Sequence, residues 1–397
     1  MQTTQPHELG TGERLLRSKD GWWFLGPSGV ARLKPGHLAE DGRLTAAADD
    51  YLSRSGLRRI PVHTVYGLTV LTSTDCNLGC GYCFQNTAQD PTGGFRPPRL
   101  RHARLTSETI QSVLDFVEAR MAEVSIERLD VTLFGGEPLL NPRGCRELLA
   151  RAADYGLANA TMVSNGTLLT PRVGAQLAEL GLRTVQITFD GDREQHDAIR
   201  AQHSGEGTFD TIVNNIALVS RSAPSIRWTL RINISHHSQV GMEQLLDRLA
   251  AEIDPARCVV YLAQVGDLGL GYANEMDRTG TLADRFVDWY RQAIALGFRV
   301  PRPHARKPCQ ACSYENGRYG AVASADGTLS SCWETAGKPE WQVGTVEDGY
   351  LEPEVTHSRW TMCGDHNQYS DEPSTREAFQ DTVDAALLDH LAEAGIL

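Results

Sequence analysis

Hydrophobic and polar positions between residues 65 and 296 follow two alternating periods. Short apolar runs typical of buried strands are each followed by a stretch whose apolar residues recur three and four positions apart, as on one face of a helix. Six such strand–helix units with short connections predict a parallel sheet that closes fully or partly into a barrel. The predicted strands are 66–71, 129–134, 160–164, 184–189, 226–234 and 258–265, and the predicted helices are 107–124, 143–155, 171–180, 209–221, 240–252 and 280–296.

The pattern differs on either side of this region. Residues 22–33 are typical of a β-hairpin that turns at Pro27-Ser28-Gly29, and residues 44–57 are typical of a helix. After a proline-rich stretch that begins at Pro301, the chain becomes rich in cysteines and glycine turns. We therefore predict an α/β protein with four segments: a hairpin-and-helix preamble (1–60), a barrel (61–298), a small cysteine-rich module (299–373) and a C-terminal helix (374–397).

Composition and charge argue against some classes of function. A formal charge of −12 argues against non-specific binding to nucleic acid. No apolar run approaches the roughly 20 residues of a membrane span, and the first residues lack the layout of a signal peptide. We expect a cytoplasmic protein with no nucleic-acid or membrane partner, whose nine cysteines serve metal binding or catalysis and not disulfides.

Three cysteines follow the first predicted strand. Cys76, Cys80 and Cys83 have C-x3-C-x2-C spacing, so they can hold three corners of a [4Fe–4S] cluster. Such clusters ordinarily take four cysteines, and three would leave one iron open to a small chelating molecule. The alternatives are a zinc knuckle or structural thiols. Zinc requires a further Cys or His nearby, and residues 64–90 offer only His63, just outside that range.

A glycine turn follows the second predicted strand, in the run Phe134-Gly135-Gly136-Glu137-Pro138. The two glycines allow a ligand to approach the backbone closely, and carbonyl groups exposed there can accept hydrogen bonds from a cation. The alternative is a tight turn with a solvated Glu137.

Polar residues also end the next three strands. Asn165 and Thr188 lie where the third and fourth strands reach the barrel mouth, and their amide and hydroxyl groups can bind ribose hydroxyls or a carboxylate. The alternative is that both belong to ordinary turns. Arg231 on the fifth strand suits a carboxylate ligand or, equally, a structural ion pair.

The cysteine loop and the glycine turn, in this order, resemble those of the radical S-adenosylmethionine (SAM) enzymes. The resemblance implies a partial barrel of six βα units and a cluster whose open iron binds the amino and carboxylate groups of SAM. Reduction then breaks the sulfonium bond, and a 5′-deoxyadenosyl radical abstracts hydrogen from the substrate. The resemblance places Gly135, Gly136 and Glu137 at the SAM amino group, and Tyr82 along the adenine. The alternative for Tyr82 is a rim residue that packs the loop.

The stretch from Asp190 to Arg200 resembles the DGxxExHDxxR sequence of the radical SAM enzymes that modify peptides. Within it, His196, Asp197 and Arg200 have a second interpretation as a polar network that starts a helix. Asp190, or a carboxylate or histidine near it, is the expected proton acceptor.

A second cysteine group consists of Cys309, Cys312, Cys332 and Cys363. The spacing from Cys312 through Gly327 to Cys332 resembles the C-x(9–15)-G-x4-C signature of the SPASM and twitch domains, which carry auxiliary [4Fe–4S] clusters. The resemblance implies one auxiliary cluster, and the alternative is a structural zinc. The four ligands expected are Cys309, Cys312, Cys332 and Cys363. Cys145 and Cys258 match no motif, and we expect both to be buried.

Together these features predict a radical SAM maturase that cross-links a ribosomally made precursor peptide and takes electrons from a reductant such as flavodoxin or ferredoxin. The first alternative is a radical SAM dehydrogenase that oxidises a Ser or Cys side chain or a small alcohol. A peptide epimerase and a zinc-binding scaffold are further alternatives. Residues 1–60 are a candidate contact for a leader peptide.

Overall fold

The computed structural model describes residues 9–10, 12–40, 42–85, 100–265, 276–306, 311, 314–362 and 372–397. Near the N-terminus lies an antiparallel sheet of three strands, followed by helix α1 (Ala46–Arg54), which Thr45 caps. The predicted hairpin forms two of these strands, and the first strand is an addition to the prediction. The strands are β1 (Arg14–Ser18), β2 (Gly21–Gly26) and β3 (Gly29–Leu33).

The second sheet has ten strands, six of which are neighbouring parallel strands in chain order. This arrangement confirms the predicted partial barrel of βα units. Because parallel strands all end at one edge of a sheet, the loops that follow them meet there. The six strands are β4 (Tyr66–Ser73), β5 (Leu129–Gly135), β6 (Leu157–Ser164), β7 (Leu182–Phe189), β8 (Arg227–Ile234) and β9 (Cys258–Gln264).

Helices pack against the parallel strands, and one hydrophobic core fills the space between them. Several begin at a polar residue that accepts a hydrogen bond from the first turn, such as Thr106, Asn141 and Thr170. All six predicted helices are present, and the short α5 is an additional one. They are α2 (Ser107–Glu123), α3 (Pro142–Ala152), α4 (Pro171–Glu179), α5 (Arg193–Ile199), α6 (Phe209–Ser222), α7 (Met242–Glu252) and α8 (Gly280–Ala295).

The cysteine-rich segment extends the same sheet on the other side of β4. Strand β10 (Gly320–Ala323) pairs with β4 in parallel, and three antiparallel strands follow it. Backbone hydrogen bonds therefore join this segment directly to the barrel, and its boundaries as a domain remain a prediction. The three strands are β11 (Thr328–Ser330), β12 (Gln342–Thr345) and β13 (Gly349–Tyr350).

Two helices complete the described chain, α9 (Pro353–Arg359) and α10 (Pro373–Glu393). Helix α10 packs on β1, where Arg14 forms ion pairs with Asp381 at 2.6 Å and Asp384 at 2.7 Å. The two ends of the chain thus lie side by side. Among the described helices, none combines the length and the apolar surface that crossing a bilayer requires.

Candidate functional site

The cysteine loop follows β4 at the edge where the parallel strands end. Cys76, Cys80 and Cys83 are free thiols, partly exposed, and all three line one cavity of about 1030 Å³. The protein around them excludes most water, and this burial raises the pKa of Cys76 to about 12 and that of Cys80 to about 11. Such thiols stay protonated at neutral pH until a metal replaces the proton.

This donor set fits an iron–sulfur cluster better than a single metal ion. In the residues that the structure describes, no three His, Cys, Asp or Glu side chains lie close enough to share one ion. A structural zinc needs four ligands around a single point, whereas a [4Fe–4S] cluster distributes its thiolates over separate irons. Three thiolates around one cavity can therefore hold three irons and leave the fourth to another ligand.

Two glycines let the turn after β5 pack directly on the start of the cysteine loop. The N–H of Gly136 donates to Ser73 O at 3.0 Å, and the next N–H donates to Asp75 O at 2.7 Å. A Cβ atom at Gly135 or Gly136 would overlap one of these carbonyl oxygens, and Gly135 also has a φ of 147°. Any larger residue would force the turn and the loop apart. Both glycines line the cavity.

Glu137 is buried behind this turn. Its carboxylate accepts hydrogen bonds from the Ser164 hydroxyl at 2.9 Å and the backbone N–H of Asn165 at 2.7 Å. It accepts a third from the backbone N–H of Leu139 at 3.0 Å. Burial raises the pKa of Glu137, and these hydrogen bonds oppose the rise. The carboxylate therefore ties the end of β5 to the end of β6, and its contact with a cofactor remains a prediction.

Asn165, predicted to contact a ligand, holds the cysteine loop in place. Its Nδ2 donates to Asn77 Oδ1 at 2.9 Å, and its Oδ1 accepts from the Thr167 hydroxyl at 2.7 Å. Asn77 donates in turn to Thr167 Oγ1 at 2.9 Å. Sequence reasoning missed Asn77 and Thr167. Their positions inside the cysteine loop and directly after Ser-Asn-Gly were the available signal.

A buried network holds the other end of the loop. The Tyr82 hydroxyl donates to Asp190 Oδ2 at 2.7 Å and accepts from Arg200 Nη1 at 2.8 Å and Asn233 Nδ2 at 2.9 Å. Arg200 also forms an ion pair with Asp190 at 3.4 Å. Burial raises the pKa of Asp190, whereas the Arg200 charge and the hydrogen bonds oppose the rise. One phenol thus links the loop to the ends of β7 and β8.

His196 and Asp197, which lie beside this network, form hydrogen bonds with Thr208, the residue before helix α6. The N–H of Asp190 donates to His196 Nδ1 at 3.4 Å, and His196 Nε2 lies 3.1 Å from Thr208 Oγ1. Because the Thr208 hydroxyl donates to Arg200 O, the His196 proton lies on Nε2. Burial lowers the pKa of His196 well below its ordinary value. Asp197 accepts from the N–H of Thr208 at 2.7 Å at the start of α6, which matches the interpretation as a polar network.

Thr188, Arg231 and Tyr261 lie in register on β7, β8 and β9, and all three line the cavity. Arg231 Nε donates to Asn233 Oδ1 at 2.9 Å, and the guanidinium carbon lies 5.7 Å from the centroid of the Tyr261 ring. Within the described ranges Arg231 has no ion-pair partner. Its outer nitrogens are therefore directed by the protein and available to an anion.

The predicted auxiliary-cluster site falls mostly outside the described residues. Cys309, Cys312 and Cys363 are not among them, and Cys332 is a buried cysteine after β11. The four-cysteine ligand set remains a prediction.

A stack of three aromatic rings connects the two cysteine regions. Trp333, directly after Cys332, stacks on Phe134 with 5.2 Å between centroids, and Phe134 stacks on Phe84 with 6.4 Å. Phe84 directly follows Cys83. Sequence reasoning missed this stack, although an aromatic residue after the last cysteine of the loop and after Cys332 was visible.

Residues 70–249 match the family model of the radical SAM superfamily. These residues form a radical SAM domain. Radical SAM domains bind a [4Fe–4S] cluster and SAM. The donor set and the cavity described above lie in and around this domain.

The chain is also similar to two characterised proteins. Fe-coproporphyrin III synthase of Methanosarcina barkeri is 27% identical over 56% of this chain and 48% of that protein. PqqA peptide cyclase of Bradyrhizobium diazoefficiens is 25% identical over 65% of this chain and 63% of that protein. The chain thus spans less than two thirds of the length of either relative.

Among solved structures, the fold is similar to that of native anSMEcpe with bound AdoMet. The TM-score is 0.63 at 15% identity, over 84% of this chain and all of that chain. At this identity the likeness concerns the fold alone.

Proposed function

We propose that this protein is a radical SAM maturase that forms an intramolecular cross-link in a ribosomally made precursor peptide. The observation that carries the proposal is that the cysteine loop, the glycine turn and Arg231 all open on one cavity of about 1030 Å³. Pockets for small ligands usually measure about 300–1,000 Å³. This cavity therefore has room for a nucleoside cofactor and for part of a second molecule.

The cofactor residues would divide their roles between binding and support. Cys76, Cys80 and Cys83 would hold the cluster. When bound, the cluster and SAM supply the reductive cleavage of SAM and the hydrogen abstraction from the substrate, with electrons from a reductant such as flavodoxin or ferredoxin. The chain itself orients both ligands and excludes water. The residues proposed to surround SAM are Tyr82, Gly135, Gly136, Glu137, Asn165, Thr188 and Arg231.

Asp190 is the proposed proton acceptor. It lies behind the cavity wall, whereas Tyr82 lines the cavity and donates its hydroxyl proton to Asp190 at 2.7 Å. The Tyr82 hydroxyl, which is hydrogen-bonded to Asp190, Arg200 and Asn233, would hold the carboxylate in place for this role. Arg200, at 3.4 Å, would balance the charge of Asp190 when the carboxylate is ionised.

An auxiliary [4Fe–4S] cluster, held by Cys309, Cys312, Cys332 and Cys363, is proposed to take up the electron that remains when the substrate is oxidised. Four thiolates would close its coordination sphere, which suits electron handling better than substrate binding. Iron analysis of anaerobically reconstituted protein tests this point. About eight irons per chain support two clusters, and about four support one.

The peptide substrate is supported by the similarity to PqqA peptide cyclase, whose name states that it acts on a peptide. The principal second candidate is oxidation of a Ser or Cys side chain or of a small alcohol. An epimerase is less well supported, since Cys145 and Cys258, two possible thiol donors, are buried.

Mass spectrometry of a candidate precursor peptide tests the proposed function. The holoenzyme would be incubated anaerobically with SAM, dithionite and a short peptide encoded beside its gene. A cross-link gives the loss of two hydrogens, fragment ions missing between the linked residues, and no reaction with hydrazine. A product that reacts with hydrazine supports the dehydrogenase, and an unchanged mass with inverted stereochemistry supports the epimerase.

Residues 1–60 are proposed to contact a leader segment of the peptide. Removal of the leader should weaken binding to the complete protein by anisotropy, and cross-linking should map the leader to this segment. Equal binding with and without the leader would remove the proposal.

A further inference from the structure

A short extended segment forms one side of the cavity entrance. In residues 301–306, Pro303 and Ala305 are buried, whereas Arg302, His304 and Arg306 alternate with them and are exposed. All three line the cavity. We call Arg302 and Arg306 the cationic rim.

The protein fixes the backbone and one side chain of this rim. The N–H of Arg306 donates to Gly12 O at 2.8 Å, and Arg14 Nη1 donates to His304 O at 2.9 Å. Arg302 Nη2 donates to Ile396 O at 2.7 Å. These hydrogen bonds come from residues near both ends of the chain. They hold in place the segment that carries Arg302 and Arg306.

Among the described residues that line the cavity, positive charges outnumber negative ones. Seven of the described residues that line it are arginines and three are carboxylates, although the chain as a whole carries a formal charge of −12. Some of these arginines are paired: Arg200 with Asp190, Arg14 with Asp384, and Arg306 with Glu377. Arg302 has only a backbone carbonyl as a partner within the described residues, so no carboxylate offsets its charge.

We propose that the cationic rim receives an acidic stretch of the peptide substrate, an inference that rests on the proposed function. A protein with a large negative charge repels an acidic peptide at long range. A row of cations at the entrance reverses this repulsion locally and favours one class of peptide over others. Acidic side chains would lie along Arg302 and Arg306, and the residue to be modified would lie deeper, near Arg231.

Fluorescence anisotropy of the holoenzyme with two labelled synthetic peptides tests the rim. One peptide alternates Glu and Ser, and the other carries Gln at each Glu position. At low salt we expect the Glu peptide to bind about tenfold more tightly, as two exposed ion pairs would give. High salt should abolish the difference.

Variants locate the effect. The double variant R302Q/R306Q should lose the preference for the Glu peptide, and R302K/R306K should keep most of it. R291Q removes one positive charge from an exposed position on α8 and should change affinity less than twofold. Thermal melting of each variant excludes unfolding as the cause.

Several outcomes would overturn the inference: equal affinity for the two peptides, no detectable binding of the Glu peptide, or equal losses in R302Q/R306Q and R291Q. Tighter binding of a single-stranded oligonucleotide of the same charge would also contradict it. Peptide modification measured in parallel separates the two proposals. Binding without modification would count against the proposed function alone, and modification without charge preference would count against the rim alone.

Discussion

The cavity has two unlike sides. On the barrel side, Tyr82, Asp190, Arg200 and Asn233 form a buried network along and behind the cavity surface, which we call the inner wall, where polar groups bond mainly to one another. At the entrance, the cationic rim exposes its charges to solvent. Buried polar networks are rigid because every unpaired member is costly, whereas exposed charges cost little and adapt. The inner wall is built to hold a reactive centre in place, and the rim to recognise a variable partner.

The largest effect is expected at the cysteine loop, which the inner wall supports. Cys80→Ala leaves only two thiolates in this loop, which are too few to hold a cluster. It should therefore abolish binding of the cluster in this loop and, with it, SAM cleavage. Iron content and visible absorbance after anaerobic reconstitution measure the loss. Cys258→Ala, which changes a buried thiol on β9, is the control and should keep its iron. A Cys80→Ala protein that binds as much iron as the wild-type protein would contradict the assignment.

Gly135→Ala should be the most damaging change to the fold around the cysteine loop. The added Cβ would overlap Ser73 O, and the alanine would have to adopt a φ of 147°. We therefore expect the free energy of unfolding to fall by about 3 kcal/mol. Urea unfolding of the cluster-free protein measures it. Gly280→Ala meets no atom within 4 Å and is the control. Similar stability of the two variants would show that the turn does not need its glycine.

Tyr82→Phe removes the hydroxyl that three inner-wall side chains share. We expect the free energy of unfolding to fall by about 1–3 kcal/mol, because Asn233 and Asp190 lose a buried hydrogen-bond partner. Iron binding should be retained. Tyr51→Phe changes an exposed tyrosine, 48% exposed, and should be neutral. Unchanged stability in Tyr82→Phe would mean that the network does not hold the loop.

The buried His196 predicts a pH dependence of stability. Burial holds the pKa of His196 well below its ordinary value. Below about pH 6.5 the unfolded chain therefore binds a proton at His196 that the folded protein does not bind. Stability should therefore fall as the pH drops, by up to about 1.4 kcal/mol per pH unit. His196→Asn should flatten this slope between pH 5 and 7, and His357→Asn, at an exposed position, should not. Equal slopes for all three proteins would refute a neutral buried His196.

The smallest effect is expected at the rim. Arg306→Gln breaks only ion pairs between partly exposed side chains, with Glu377 and Asp381, and should change stability by less than about 1 kcal/mol. Urea unfolding beside Tyr82→Phe tests the contrast between the two sides directly. A loss as large as that of Tyr82→Phe would make the rim part of the structural framework.

Much of the fold was predictable because the spacing of apolar residues along the chain reflects which positions are buried. The six parallel strands and their helices follow from apolar runs that alternate with helical periodicity. The pairing of β10 with β4 was not predictable, because two short strands far apart in sequence carry no mark of their partner.

The site was predictable in its residue types but less so in its contacts. Gly135 and Gly136 were singled out for the approach of a ligand, and the structure shows a second reason, the approach of Ser73 and Asp75. Tyr82 and Asp190 were given separate roles, yet they share a hydrogen bond that depends on the meeting of distant segments. Such long-range pairs cannot be read from local spacing.

The most direct test of the central claim is the release of 5′-deoxyadenosine from SAM by anaerobically reconstituted, dithionite-reduced protein. The three-cysteine loop at the cavity predicts that the wild-type protein forms 5′-deoxyadenosine and methionine in equal amounts, and that Cys80→Ala forms neither. Iron-loaded wild-type protein that never releases 5′-deoxyadenosine, with or without peptides, would contradict the account.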